Sequence, residues 1–221
     1  MVNDSYTGEV SPGGEPDVRQ LDGLTLTKVA VDPEMSNNCY LLECADTGEV
    51  VLIDAAAEAP RLLELIGDRS LTAIVTTHQH WDHHRALAEV RAAHPGALVV
   101  AGEADADAIA EQTGVNVDVR VGEGMTVPVG TCELEVIPVA GHTPGSICLH
   151  RDGHLLTGDS LFPGGPGRTT SPEDFASIMR DLEARVFDRL PDTTWFYPGH
   201  GNDSTLGAER PHLAEWRERG W

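Results

Sequence analysis

Nine consecutive residues, TTHQHWDHH at positions 76–84, hold four histidines and an aspartate. Packing has little use for such crowding, whereas imidazole and carboxylate together are ligands for zinc and also for iron or manganese. His78 and His80 stand two apart, so in extended backbone they point the same way and can grip one ion. Asp82 and His83 lie just beyond and can serve a second. Three more candidates recur singly, each after a glycine: His142 after Gly141, Asp159 after Gly158 and His200 after Gly199. A residue without a side chain leaves room beside each ligand. Two cations about 3.5–4 Å apart can share a water and bring its pKa toward neutrality. The expected chemistry is attack of that hydroxide on a carbonyl or phosphoryl centre, with Asp82 orienting the nucleophile. Ser160 lacks a G-x-S-x-G context and reads as a local hydrogen-bonding residue.

These residues need a rigid frame, and the hydrophobic pattern supplies one. Apolar runs at Leu24–Val31, Cys39–Glu43, Val50–Ile53, Leu71–Val75 and Leu98–Ala101 read as strands, with a turn over Pro33–Asn38. Helical spacing covers Ala59–Ile66, His84–Ala93 up to Pro95-Gly96, and Glu103–Gln112 up to Gly114. From Val117 the pattern turns to β. Glu133–Val139 is a strand, and Ile147–His150 and His154–Thr157 form a hairpin across Asp152-Gly153. Ser171-Pro-Glu-Asp opens a helix, with a cap, a first-turn proline and acidic residues at the positive end of the dipole. Trp195–Tyr197 is a last strand, and Pro211–Arg219 a closing helix. Ligand candidates sit where strands become loops, and the mixed order predicts an α/β (α+β) chain of sheets covered by helices. Asp54, at a strand end, is placed to orient a ligand imidazole or to cap the next helix. His84 reads as a neighbour of the ligands or a solvent-facing residue rather than a ligand. His94, His150, His154 and His212 read as surface histidines.

At 221 residues the chain is expected to form one domain over 21–221, preceded by a flexible polar tail over residues 1–20. That tail has no basic region followed by an apolar one, and no run approaches the roughly 20 apolar residues of a membrane span. The expected location is cytoplasmic. Thirty-six acidic residues against 15 basic ones give a net charge of −21, which repels nucleic acid and anionic membranes and leaves a small molecule as the expected partner. Lys28 is the only lysine. Cys39, Cys44, Cys132 and Cys148 form no C-x-x-C pair and read as buried free thiols; Cys39 and Cys44, five apart on a strand, should face opposite sides.

The order H-x-H-x-D-H, then a single His, a single Asp and a last His, resembles the metallo-β-lactamase-fold hydrolases over about residues 37–210. That resemblance implies an αββα sandwich of two mixed sheets with a two-metal site at one edge. It implies that His78, His80 and His142 bind the first ion, that Asp82, His83 and His200 bind the second, and that Asp159 bridges them. It also implies two divalent ions, zinc first among them. The stretches GHTPGS, TGDSLF and GGPGR look like glyoxalase II, the hydroxyacylglutathione hydrolase, which cleaves thioesters. A thiol leaves as thiolate near its pKa of ~8.5 without an acid. The chain departs from glyoxalase II in three places: HRAL follows the D-H pair, Pro166 replaces a common cysteine, and only 20 residues follow Gly201. It reads as a short form without the helical C-terminal region, with Arg168 available to hold a substrate carboxylate. The rival within the resemblance is persulfide dioxygenase, an oxidoreductase with one iron on the equivalents of His78, His142 and Asp159. A non-catalytic metal-binding protein would lack a ligand, and none is missing.

Overall fold

The computed structural model describes residues 5–220. The first sheet is formed by β1 (Asp17–Gln20), β2 (Leu24–Val31), β3 (Asn37–Cys44), β4 (Glu49–Ile53), β5 (Ser70–Thr76), β6 (Leu98–Gly102) and β7 (Val119–Val121), side by side in chain order. β1 to β4 pair antiparallel and β4 to β7 parallel. The parallel half needs crossovers, supplied by α1 (Ala59–Ile66), α2 (Leu87–Ala93) and α3 (Ala106–Thr113). The second sheet is built from β8 (Thr126–Val129), β9 (Cys132–Pro138), β10 (Ile147–Arg151) and β11 (His154–Gly158). A small hairpin, β12 (Leu161–Phe162) and β13 (Gly165–Pro166), follows, then α4 (Pro172–Asp181), β14 (Trp195–Pro198) and β15 (Ser204–Thr205). The second sheet has the order β15-β14-β11-β10-β9-β8, and β11 and β14 run parallel. α5 (Leu206–Glu209) and α6 (Leu213–Arg219) end the chain.

Three apolar layers hold this together. Leu26, Tyr40, Leu42, Ile53 and Val75 of the first sheet meet Leu134, Val136, Leu149 and Leu156 of the second. The opposite face of the first sheet, with Leu41, Leu52 and Ile74, packs on Leu62, Leu87 and Ile109 of the helices. The outer face of the second, with Ile137, Leu155 and Phe196, packs on Ile178, Leu182 and Trp216. Both faces of each sheet are covered, which is why residues 39–42 of β3 and 50–53 of β4 read as unbroken apolar runs. The result is the expected αββα sandwich. Cys39 lies in the helix-facing layer and Cys44 between the sheets, on opposite faces as their spacing requires, and all four thiols are free.

The pattern misplaced some boundaries. Residues 17–20, assigned to the flexible tail, form β1 against β2, and Tyr6 ahead of them is 8 % exposed; alternating polar residues on an edge strand carry little apolar signal. α2 begins at Leu87 rather than His84, because Trp81–His83 make a separate 3-10 turn and His84 ends it outside the helical region, at φ −147° and ψ 19°. α3 starts at Ala106, not Glu103, and α4 runs on into a π-helical turn, Leu182–Phe187. Asp152 and Gly153 both take positive φ, 45° and 79°, the geometry of the Asp-Gly hairpin turn. Among the described residues no helix is long and apolar enough to cross a membrane.

Candidate metal centre

Parallel pairs of strands release their following loops at the same edge. β4 and β5 deliver Asp54 and the 77–84 segment together, and β11 and β14 deliver Asp159 and His200. The loop between β9 and β10 adds His142. His78, His80, Asp82, His83, His142, Asp159 and His200 are thereby gathered at one place. His80 Nδ1 stands 3.1 Å from His78 Nε2 and 2.9 Å from His142 Nε2. His200 Nε2 lies 3.2 Å from His83 Nε2 and 3.3 Å from Asp82 Oδ2. Asp159 sits between these triads, Oδ1 3.4 Å from His83 Nε2 and Oδ2 3.7 Å from His142 Nε2 and 3.6 Å from His200 Nε2.

The outward ring atoms decide which nitrogens face inward. His142 Nδ1 donates to the Arg168 carbonyl at 2.7 Å, and His200 Nδ1 to the Met35 carbonyl at 2.9 Å. His83 Nδ1 donates to Asp54 Oδ2 at 2.8 Å. Thr77 Oγ1 donates to Asp54 Oδ2 at 2.8 Å, so its lone pair receives His78 Nδ1–H at 3.1 Å. In the neutral form, the one that can bind a metal, each of these imidazoles turns an unprotonated Nε2 to the centre. In that form lone pairs at hydrogen-bond distance with no proton between them repel, and the buried Asp159 Oδ1 has no hydrogen-bond partner. A cation resolves both faults, so the donor set fits two divalent ions of the zinc, iron or manganese type.

Without a cation, protons partly take its place. Burial opposes a charge on His83, but the Asp159 and Asp54 carboxylates outweigh it and hold its pKa well above the ordinary imidazole value. Burial likewise opposes His200, and the hydrogen bond to Asp82 with the nearby Asp159 raises it. His78, surrounded by burial and then by His83, His142 and His80, is pushed well down. Burial favours protonation of Asp82, yet His200, His83 and Asn37 hold it far below the usual carboxylate range.

Several positioning residues carried little sequence signal. Asn37 Nδ2 donates to Asp82 Oδ2 at 2.9 Å from the first residue of β3; the only hint was a polar Asn-Asn pair ahead of an apolar run. Asp105 accepts from Gln79 N (2.9 Å), Thr143 Oγ1 (2.5 Å) and Gly145 N (2.7 Å), tying the His80 loop to the His142 loop. Asp54 orients His83 rather than capping α1, whose preceding residue is Glu58. His84 is buried, not solvent-facing, with Nε2 against the Gln79 carbonyl at 3.2 Å. His150 and His154 are half-buried, paired with Glu135 and Tyr197, and His94 is half-buried too. Of the three glycines before ligands, only Gly199 clears space for the site itself: a Cβ there would lie 2.2 Å from Asp159 Oδ1. The gap at Gly158 is taken by Thr77, and that at Gly141 by α4. Arg168 is exposed and lines an open cleft of about 320 Å³ with Pro166, Phe175 and Arg219, whereas His80 and His142 line a separate one of about 310 Å³ with Thr170 and Asp174; the link between Arg168 and the centre is its carbonyl, which accepts from His142 Nδ1.

Comparison with known proteins points the same way. The family model described as the metallo-beta-lactamase superfamily matches residues 32–200. A hydroxyacylglutathione hydrolase of Ruegeria pomeroyi is 35% identical over 181 residues, covering 78% of this chain, which spans 66% of that enzyme's length. The crystal structure of ETHE1 from Myxococcus xanthus aligns with TM-score 0.71 at 29% identity over 85% of this chain and 82% of its own. TTHA1623, solved in a di-iron-bound form, aligns with TM-score 0.64 at 30% identity over 83% of this chain and 96% of its own.

Proposed function

Since the chain belongs to the metallo-β-lactamase superfamily, we propose that it is a metal-dependent hydrolase acting on thioesters with two divalent ions, zinc the best match to the donors. His78, His80 and His142 would hold one ion, Asp82, His83 and His200 the other, with Asp159 between them. Bound there, such ions supply a Lewis acid and a water deprotonated at neutral pH. Asp82 is the catalytic carboxylate: Asn37 pins one of its oxygens, and its low pKa keeps it ionised to orient the attacking water. A thiolate leaving group requires no proton donor, so every imidazole of the centre can be committed as a neutral ligand. Arg168, whose carbonyl receives His142 Nδ1, holds an anionic group of the substrate, which a surface of net charge −21 would otherwise repel. The partner is therefore a small anionic thioester.

The observation that supports this reading most is Asp159, a carboxylate whose buried Oδ1 is orphaned between two complete triads. The likeness to ETHE1 supports a second reading, persulfide oxidation at a single iron on His78, His142 and Asp159. Metal analysis coupled to two assays separates them. Two equivalents of metal with thioester cleavage support the hydrolase; one iron with persulfide-dependent oxygen uptake replaces it.

A further inference from the structure

The only lysine of the chain occupies an unexpected position. Leu24, Leu26 and Lys28 alternate along β2, so Lys28 shares the face that packs between the sheets, and it is 0 % exposed. All three of its N–H donors are accepted: by the Gly8 carbonyl at 2.7 Å, the Gly201 carbonyl at 2.9 Å and Asp203 Oδ1 at 2.6 Å. The other Asp203 oxygen receives the Tyr6 hydroxyl at 2.6 Å and Trp195 Nε1 at 3.2 Å. Gly8 closes this cage at φ 75°, and a Cβ there would stand 2.5 Å from Asp203 Oδ2. An apolar side chain of similar volume would fill the space without desolvating two charges, so stability alone does not account for the pair. What an ammonium adds is direction, three donors fixed from one point.

Two of the three acceptors belong to the loop that carries His200. On its near side that loop is held by β3, through Asn38 N to the Gly199 carbonyl at 2.7 Å and Tyr40 Oη to the Pro198 carbonyl at 2.6 Å. On its far side it is held by Lys28, helped by Asn38 Nδ2 at the Gly201 carbonyl, 2.9 Å. We propose that Lys28 is a positioning residue for the metal centre: locked by Tyr6, Gly8 and Asp203, it fixes the far side of the loop that presents His200. It thereby sets the affinity of the Asp82–His83–His200 triad and leaves the His78–His80–His142 triad alone. This rests on the two-ion reading, and the test separates the two.

Metal-stripped full-length protein is titrated with Zn2+ against a chromophoric chelator, and His200→Ala identifies which dissociation constant belongs to its triad. Lys28→Met should weaken that constant tenfold or more while the other moves less than twofold. Tyr6→Phe keeps the aromatic contacts, removes one bond to Asp203, and should weaken the same constant two- to fivefold. Equal weakening of both constants, or no change in either variant, overturns the proposal. If Lys28→Met does not fold, Tyr6→Phe decides by the same criterion. A parent protein that takes up one equivalent refutes the two-ion reading and this inference with it; two equivalents with unaltered variants refute the lysine's role alone.

Discussion

Asp54→Asn is the sharpest test of how the centre is assembled. Asp54 sits at φ 58°, a left-handed conformation that Asn tolerates as well as Asp, so the exchange leaves the backbone undisturbed. Three donors converge on its carboxylate: Thr77 N at 2.7 Å on Oδ1, and Thr77 Oγ1 and His83 Nδ1, both at 2.8 Å, on Oδ2. An amide has one oxygen for these two positions. With the oxygen toward Thr77 N, the NH2 faces His83 Nδ1, which must then accept, and the ring proton moves to Nε2, the nitrogen that faces the centre. With the oxygen toward His83, two N–H donors collide at Thr77, at about 1–3 kcal/mol for the unmade bond. Either arrangement penalises the metal-competent state by ~1.4–2.8 kcal/mol, the tenfold to hundredfold loss typical of removing a carboxylate behind a ligand histidine. The assay is Zn2+ competition on the purified variant, with thioester turnover measured alongside. Metal affinity and turnover both within twofold of the parent would refute the claim that Asp54 sets the His83 tautomer.

Three other outcomes follow from the same geometry. His80→Ala removes the nitrogen 2.9 Å from His142 and 3.1 Å from His78, and should abolish metal-dependent hydrolysis while circular dichroism stays unchanged; full activity after metal stripping would overturn the two-ion mechanism. Because their carboxylate neighbours raise His83 and His200, the metal-free protein keeps protons on them above the ordinary imidazole range and loses that stabilisation as pH rises through the raised values. Metal binding near pH 7 should therefore release protons and tighten with pH, seen as a buffer-dependent calorimetric enthalpy; no buffer dependence would refute it. Metal at 100 times its dissociation constant should stabilise the fold by about 2.7 kcal/mol, a rise of ~5–11 °C in Tm at this chain length, and an unchanged melting curve would count against a resident ion.

How much of this could be read from residues alone depended on where each signal lives. The convergence of the candidate ligands was legible because five histidines and two aspartates fall in one order, and strand ends are where such side chains can meet. β2 and α1 were legible to the residue, since burial on one or both faces writes itself into the hydrophobic pattern. β1 was not: its four residues lie on a sheet edge, with an alternation of half-buried and exposed positions that a polar tail also shows. The groups behind the ligands were harder still. Asn37, Thr77 and Asp105 act through a few hydrogen bonds each, to partners 45, 23 and 26–40 residues away, a relation set by topology and invisible to spacing.

The topology also explains why the site needs both sheets. Each triad takes two members from the loop after β5 and one from the second sheet, His142 in the first and His200 in the second. Asp159, also from the second sheet, approaches His83 from the first. An ion at either triad would therefore bridge elements otherwise joined mainly by non-directional apolar packing between the sheets. Such packing tolerates small sliding, whereas ligand geometry does not. The directional contacts around the centre fall where sliding would do harm. Asp105 ties the His80 loop to the His142 loop, and Asn38, Tyr40 and Lys28 tie the first sheet to the loop of His200. A centre shared between two sheets can keep its geometry only if such bonds hold the sheets in register. That is the reason to expect the loss of one of them to be felt first as a weakened ion, before it is felt as an unfolded chain.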